Sequence, residues 1–350
     1  ISTPSQKRAS ELEPWEAFYC NQLLRPTSVS RLTPPRLAKD LLLPHLKRLM
    51  LILDESAVEQ RLRYPDLIPA IAQALADLSA GKAVQPVRAV LPIAPHAGFF
   101  GVMPAYAGAM GAKLVTFYPQ NVGIHTHHAL IVMFKAETGE PLAVLDGRLI
   151  TEMRTAAASA VATQRLARRD AAVLGILGSG GQAGSHLAAL RHVRQFKEVR
   201  VWSPRNAPAF AKRHGVTAVP SAPDAVRGAD VVVVAASATT PILQGRWLAP
   251  GTHVNAIGAT RPNWRELDDD LVTTARVFVD SREAALRGSG DVIAAQSEVT
   301  EIGAVVAGTA PGRRNDQEIT LFKSVGVAVE DIAAGALVLA GSREQAGGAG

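Results

Sequence analysis

Val173-Leu174-Gly175-Ile176-Leu177-Gly178-Ser179-Gly180-Gly181-Gln182-Ala183 runs a short apolar strand straight into the pattern G-x-G-x-x-A, and its reading decides the fold. Gly178 lets the backbone turn tightly, and Gly180 lets it approach a pyrophosphate. Gly181, Gln182 and Ala183 open a helix expected to reach about His192. Its unpaired N–H groups and the positive end of its dipole would point at phosphates.

The stretches that follow carry the same alternation. Glu198–Trp202 reads as a strand, Asn206–His214 as a helix, and Asp230–Ala236 as a continuous apolar strand of the kind buried on both faces of a parallel sheet. Thr252–Ile257 and Arg276–Asp280 read as two more strands. Strands alternating with helices at this pitch imply an α/β, Rossmann-type doubly wound sheet with its ligand at the strands' carboxyl ends.

The end of the second strand indicates which dinucleotide is bound. An NAD site usually carries an acid there, about 20 residues past the glycines, to hold the ribose 2′-hydroxyl. Trp202-Ser203-Pro204-Arg205-Asn206 offers a hydroxyl, a guanidinium and an amide instead. Ser203 and Arg205 suit a 2′-phosphate, so NADPH is favoured and NADH stays possible. A solvated Arg205 in the first turn of the next helix is the alternative.

Composition narrows the class. The 350 residues suffice for two ordinary domains, and 47% are apolar. No uninterrupted apolar run approaches the ~18 residues of a membrane span, and no secretory apolar segment is read near the first residues. The single cysteine, Cys20, excludes an intramolecular disulfide framework and predicts a reducing, cytoplasmic compartment. Of the net charge of +6, residues 1–49 hold +4, from eight Lys and Arg against four acids. The rest carries no basic stripe with interleaved aromatics, which argues against nucleic acid.

Residues 1–49 are rich in Pro, Ser, Thr and Arg and read as an extension of the composition expected of a disordered segment, ahead of a domain that starts near Met50. Asp66–Ala80 predicts an amphipathic helix with Leu67, Ile71, Leu75 and Leu78 on one face. Pro86–Pro92, Lys113–Tyr118, His127–Phe134 and Leu142–Asp146 read as strands, the last two joined by a turn at Glu137-Thr138-Gly139-Glu140. A helix over about Ile150–Arg168 leads into the glycine motif, and Ile319–Ala340 reads as a final helix.

Longer segments carry a resemblance. They are Gln85-Pro86-Val87-Arg88, Gly101-Val102-Met103-Pro104-Ala105-Tyr106, Lys113-Leu114-Val115-Thr116-Phe117-Tyr118, Ala143-Val144-Leu145-Asp146-Gly147 and Arg154-Thr155-Ala156-Ala157. Arg261-Pro262-Asn263-Trp264-Arg265-Glu266-Leu267-Asp268-Asp269 and Asp280-Ser281-Arg282-Glu283-Ala284-Ala285-Leu286 continue the series. Leu321-Phe322-Lys323-Ser324-Val325-Gly326 and Ala328-Val329-Glu330-Asp331 end it. In order and without large gaps, they resemble the ornithine cyclodeaminase/mu-crystallin family, and its mu-crystallin branch most.

The resemblance implies a homodimer whose subunit has two domains. A dinucleotide domain, residues 151–304, would be inserted into an α+β substrate and dimerisation domain formed by residues 50–150 and 305–340. It implies NAD(P)H-dependent chemistry on C=N bonds next to a carboxylate, as in ketimine reduction. Relatives that are amino-acid dehydrogenases, or that bind iodothyronines, supply the alternatives. Arg88 and Arg154 match the family's carboxylate-binding arginines, and Lys113 matches its active-site lysine. A planar guanidinium fork can engage both carboxylate oxygens. Thr155, Ala236 and Gly258 join the cofactor-binding set.

Thr260 stands where ornithine cyclodeaminases carry a catalytic aspartate, and a hydroxyl cannot replace that base. Cyclodeaminase activity is therefore disfavoured. Gly288 stands where vertebrate members carry a Glu, which sets this chain apart from their iodothyronine site. His125, His127 and His128 cluster, yet no Cys, Asp or Glu stands at ligand spacing, so no metal is expected. His127 reads as a packed or pocket-lining residue, and His96 either as a neighbour of the substrate or as a loop histidine. Asp268, Asp269 and Asp270 read as first-turn acids of a helix.

Overall fold

A computed structural model describes residues 50–347; the extension read at residues 1–49 lies outside the described residues. Among the described residues two sheets form. The larger has eight strands, all parallel. Their order is Val299–Glu301 (β13), Arg276–Val279 (β12), Thr320–Lys323 (β14), His253–Ala256 (β11), Val231–Val234 (β10), Val173–Leu177 (β7), Glu198–Trp202 (β8) and Thr217–Ala218 (β9). Every residue of β10, β11 and β14 is buried, as strands covered on both faces require. The order reverses direction between β7 and β10, so the crevice above their carboxyl ends is the ligand position of such a sheet.

The second sheet runs Leu51–Leu53 (β1), Pro141–Asp146 (β6), His127–Phe134 (β5), Met110–Phe117 (β4), Gly98–Tyr106 (β3) and Ala89–Ile93 (β2), antiparallel except for the β1–β6 pair. Register sorts its side chains into two faces, since directly opposed residues share a side. Leu53, Leu145, Ile131, Lys113 and Met103 form one row of the face covered by helices. Ile52, Val144, Val132, Ala112 and Pro104, with Leu130, Leu114 and Val102 in the next row, form the other face. There Ile52 is 68% exposed and Leu130 49%.

Helix Gly147–Leu166 joins the two sheets, and Asp146, the last residue of β6, caps it by accepting from the Arg148 N–H at 3.0 Å. The final helix, Ala328–Gly347, lies on the covered face of the second sheet. A Cβ on Gly111 of β4 would come within 2.9 Å of Ile332 Cδ1.

Two sequence expectations change. Ile319–Ala340 is not one helix: Thr320–Lys323 is the strand β14, and the helix starts at Ala328 after Gly326 turns the chain at φ +76°. Residues expected beside the substrate sheet thus complete the middle of the parallel one. Gly98–Tyr106 is a nine-residue strand that the glycines and Pro104 concealed. Gly98 faces the Tyr118 ring, where a Cβ would stand 2.5 Å from it.

Helix Ile302–Val306 approaches helix Tyr64–Ser79 so closely that a Cβ on Gly303 would lie 1.9 Å from the Leu75 carbonyl oxygen. Gly303→Ala should therefore destabilise the fold by about 1–3 kcal/mol through overpacking. Urea unfolding followed by circular dichroism reads the change, and an unaltered midpoint would refute the contact.

Candidate active site

One cleft of about 220 Å³ lies between the covered face of the antiparallel sheet and the carboxyl ends of the parallel strands. Val90, Phe99, Gly101, Met103, Lys113, Val115, Phe117 and His127 line it from the antiparallel side. These residues belong to adjacent rows of a single face. Ala235–Ser237 follow β10, Ile257, Gly258, Thr260 and Arg261 follow β11, and Ser324–Gly326 follow β14; they line the opposite side. Thr151, Arg154 and Thr155 enter from the helix that links the sheets.

Buried acids set the loops on the parallel side. Asp280 directly follows β12 and is fully buried. Its Oδ2 accepts from Ser324 Oγ at 2.9 Å, from the Val325 N–H at 2.9 Å and from the Gly326 N–H at 2.6 Å. The carbonyls of Val325 and Gly326 in turn accept from Arg88 Nη2, the latter at 2.6 Å. Under the neighbouring loop, Lys323 pairs with Glu266 and lies 3.2 Å from Asp291, all three without exposure. Glu266 accepts the Gly258 N–H at 2.9 Å, which ties the loop of Thr260 and Arg261 to that triad.

Lys113 is 2% exposed and pairs with Asp331, which also accepts from Arg154 Nε. Arg154 Nη1 donates to Glu330. Burial, reinforced by the neighbouring Arg154, pulls the Lys113 ammonium down to about 8. Burial works against the charge of Arg154 as well, yet Asp331 and Glu330 hold it above its ordinary value. The Glu330 carboxyl, out of water, is pushed up to about 7. Arg261 stacks its guanidinium 3.9 Å from the centre of the Phe99 ring.

The glycine loop has the form a dinucleotide needs. Gly178 adopts φ +129°, and a Cβ there would strike the Ala235 carbonyl oxygen at 2.2 Å. At Gly180 a Cβ would meet nothing within 4 Å, which leaves the approach to helix Gly181–Leu190 open. Gln182 lines the cleft, and its buried Oε1 has no hydrogen-bond partner. The open cradle of N–H groups fits the phosphates of a dinucleotide, and the unpaired acceptor fits a donor on such a cofactor, a ribose hydroxyl or a carboxamide N–H. At the end of β8, Ser203 Oγ meets Ser179 Oγ at 2.8 Å, and Arg205 is exposed beside it.

The profile of the ornithine cyclodeaminase/mu-crystallin family matches residues 48–345. The chain belongs to this family. Ketimine reductase mu-crystallin of Mus musculus is 46% identical over 307 residues, which cover 84% of this chain and 97% of that relative. The structure of Thermococcus litoralis Δ1-pyrroline-2-carboxylate reductase in complex with NADH and L-proline matches with a TM-score of 0.81 at 36% identity, covering 85% of this chain and 98% of that one. An archaeal alanine dehydrogenase dimer with bound NAD gives a TM-score of 0.80 at 34% identity, covering 85% and 97%.

Within the family frame, the cleft collects Arg88, Lys113, Arg154, Thr155, Gln182, Ala236, Gly258 and Thr260 from the expected set. Gly178, Gly180, Gly181 and Ala183 form the turn and helix start and do not line the cleft. His127 lines the cleft, whereas His96 is exposed and outside the lining. Asp268 caps a helix by accepting the Leu271 N–H at 3.0 Å, with Asp269 and Asp270 in its first turn. No group of acids, histidines and cysteines suited to a metal occurs among the described residues. No helix among them is long and apolar enough to cross a membrane.

Sequence reasoning missed Asp331, Glu330, Asp280 and Arg261 as parts of the site. Each stood inside a family segment, but an acid behind a buried cation is visible only once the fold brings the two together. The two loop glycines differ in a measurable way. Gly180→Ala should leave the unfolding temperature within about 1 °C, because its Cβ meets open space, yet weaken dinucleotide affinity at least about tenfold by blocking the backbone's approach to phosphate. Gly178→Ala should lower both. Thermal unfolding and cofactor fluorescence titration separate the two cases, and unimpaired binding by Gly180→Ala would move the phosphates elsewhere.

Proposed function

We propose that the protein reduces cyclic ketimine 2-carboxylates, such as Δ1-piperideine-2-carboxylate and Δ1-pyrroline-2-carboxylate, to L-amino acids with NADPH. The observation that carries this reading is the charge of the cleft: Arg88, Lys113, Arg154 and Arg261 line it, and no Asp or Glu does among the described residues. One substrate carboxylate finds cations, while a second ammonium, as in ornithine, finds none of the acid it needs. Thr260 at the cyclodeaminase aspartate's position agrees. The named activities of the mouse and Thermococcus relatives support the same chemistry.

A reduced nicotinamide supplies the hydride that the imine carbon takes up. Arg88 and Arg154 hold the carboxylate, which fixes the ring and the faces of its C=N bond. Lys113 Nζ stands ready to give a proton to the nitrogen, which must gain one as the carbon is reduced. Phe99, Phe117 and Trp264 keep water from the ring carbons.

NADPH oxidation followed at its absorbance maximum, with each cyclic imine, tests the activity. Turnover only with pyruvate plus ammonia would favour an amino-acid dehydrogenase, and tight ligand binding without oxidation would favour a binding protein. Lys113→Ala should lower kcat by roughly 10²–10⁴-fold. Arg88→Ala should mainly raise KM, because a carboxylate clamp acts on ground and transition states alike. Arg205→Asp should move preference from NADPH towards NADH, because a carboxylate repels the 2′-phosphate and accepts a ribose hydroxyl. An Arg205→Asp protein that still prefers NADPH would shift the phosphate to Ser203.

We also propose a symmetric homodimer joined through the uncovered apolar face of the antiparallel sheet. Ile52, Leu91 and Leu130 are large apolar side chains exposed there, more than a lone subunit leaves open without use. Leu130→Glu should convert a dimeric mass into a monomeric one by light scattering, and a monomeric unmodified protein would refute the assembly.

A further inference from the structure

The cations of the cleft reach it from separate pieces of chain. Lys113 stands in the middle of β4, Arg154 on the helix between the sheets, and Arg88 ahead of β2. Both side chains are buried, and the Arg154 charge repels that of Lys113. One side chain bridges them. Asp331 Oδ1 accepts from Lys113 Nζ at 2.9 Å and from Arg154 Nε at 3.0 Å, and its Oδ2 lies 2.8 Å from Lys113 Nζ. Asp331 has no exposure and does not line the cleft.

We propose that Asp331 is a positioning residue, which holds Lys113 and Arg154 at a set separation in front of the substrate and keeps the Lys113 amine charged. The inference rests on the imine-reductase reading above. Asp331 touches no substrate; it acts through two groups that do.

The charged and titratable neighbours of Lys113 give the proposal its sign. Arg154 from the linking helix and Arg88 from the chain before β2 push its proton off, and His127 on β5 interacts with it from the adjacent strand. Asp331, from the final helix, holds the proton on. Glu330 faces Arg154, and Asp280 faces Arg88 and Arg154. An ammonium is charged below its pKa, so the competent form exists below about 8 and is lost as pH rises through that value. Removing the carboxylate charge must move the loss to lower pH. Removing the Arg154 charge must move it to higher pH, since the repulsion goes and Asp331 is no longer shared.

The experiment is a pH profile of kcat/KM for Δ1-pyrroline-2-carboxylate, run in parallel with calorimetry of L-proline binding in the presence of NADPH, which cannot reduce it. Asp331→Asn keeps the shape of the side chain and should shift the alkaline fall in both readouts down by roughly one pH unit or more. Arg154→Gln should shift it up, although its KM rises. A merely structural ion pair would lower stability and leave the position of the fall where it is. An unmoved fall in Asp331→Asn overturns the proposal. If that variant does not fold, an unmoved or lowered fall in Arg154→Gln overturns it. Unmodified protein that binds L-proline with this pH dependence yet oxidises no NADPH would refute the activity and leave the positioning role tested by binding. Failure of both readouts in the unmodified protein overturns both.

Discussion

A charge taken out of water needs its opposite within reach, and that requirement organises the whole region between the two sheets. Lys113, Arg154 and Lys323 would each be costly alone in the interior; with Asp331, Glu330, Glu266 and Asp291 against them the region is tolerable. Well-packed apolar side chains would serve stability as well or better. What ion pairs add is direction: each fixes a side chain or a loop end to a point. Asp280 does the same by hydrogen bonds alone, with three neutral donors converging on one oxygen, and so holds residues 324–326, whose carbonyls accept from Arg88.

The acids lie behind the lining and the cations lie in it. A visitor to the cleft therefore meets positive charge and aromatic surface, while the compensating negative charge stays one layer deeper. This arrangement separates affinity for a carboxylate from affinity for an amine within one small volume. It also explains why Lys113 keeps a proton near neutrality while standing beside two guanidinium groups.

Much of the parallel sheet was legible because strands buried on both faces are written as unbroken apolar runs, as at Val231–Val234, and because the glycine loop, weak evidence by itself, follows one such run and precedes others. β14 was not, since Thr320–Lys323 is four residues long, ends in a lysine and adjoins an Ala-rich helix that dominates the local pattern. β3 was hidden by the very glycines that let Tyr118 and Val115 approach it. Arg88, Lys113 and Arg154 were readable only through the family segments, because a single cation in isolation is more often solvated. Asp331 and Glu330 sit in the first turn of a helix, where acids ordinarily answer the dipole in water. Only the fold reveals that this turn ends inside the protein.

The position of β14 also bears on how the chain is made. During synthesis β11 and β12 emerge well before residues 320–323, yet these two strands bond to β14 and not to each other. The nascent parallel sheet must wait with a gap at its middle, between the edges of β11 and β12, until residues 320–323 leave the ribosome. Premature closure of β11 on β12 would be a misfolded product with no slot for the loop that meets Arg88. Synthesis slowed ahead of residue 320 would prolong that exposure, and chaperone dependence would rise with it.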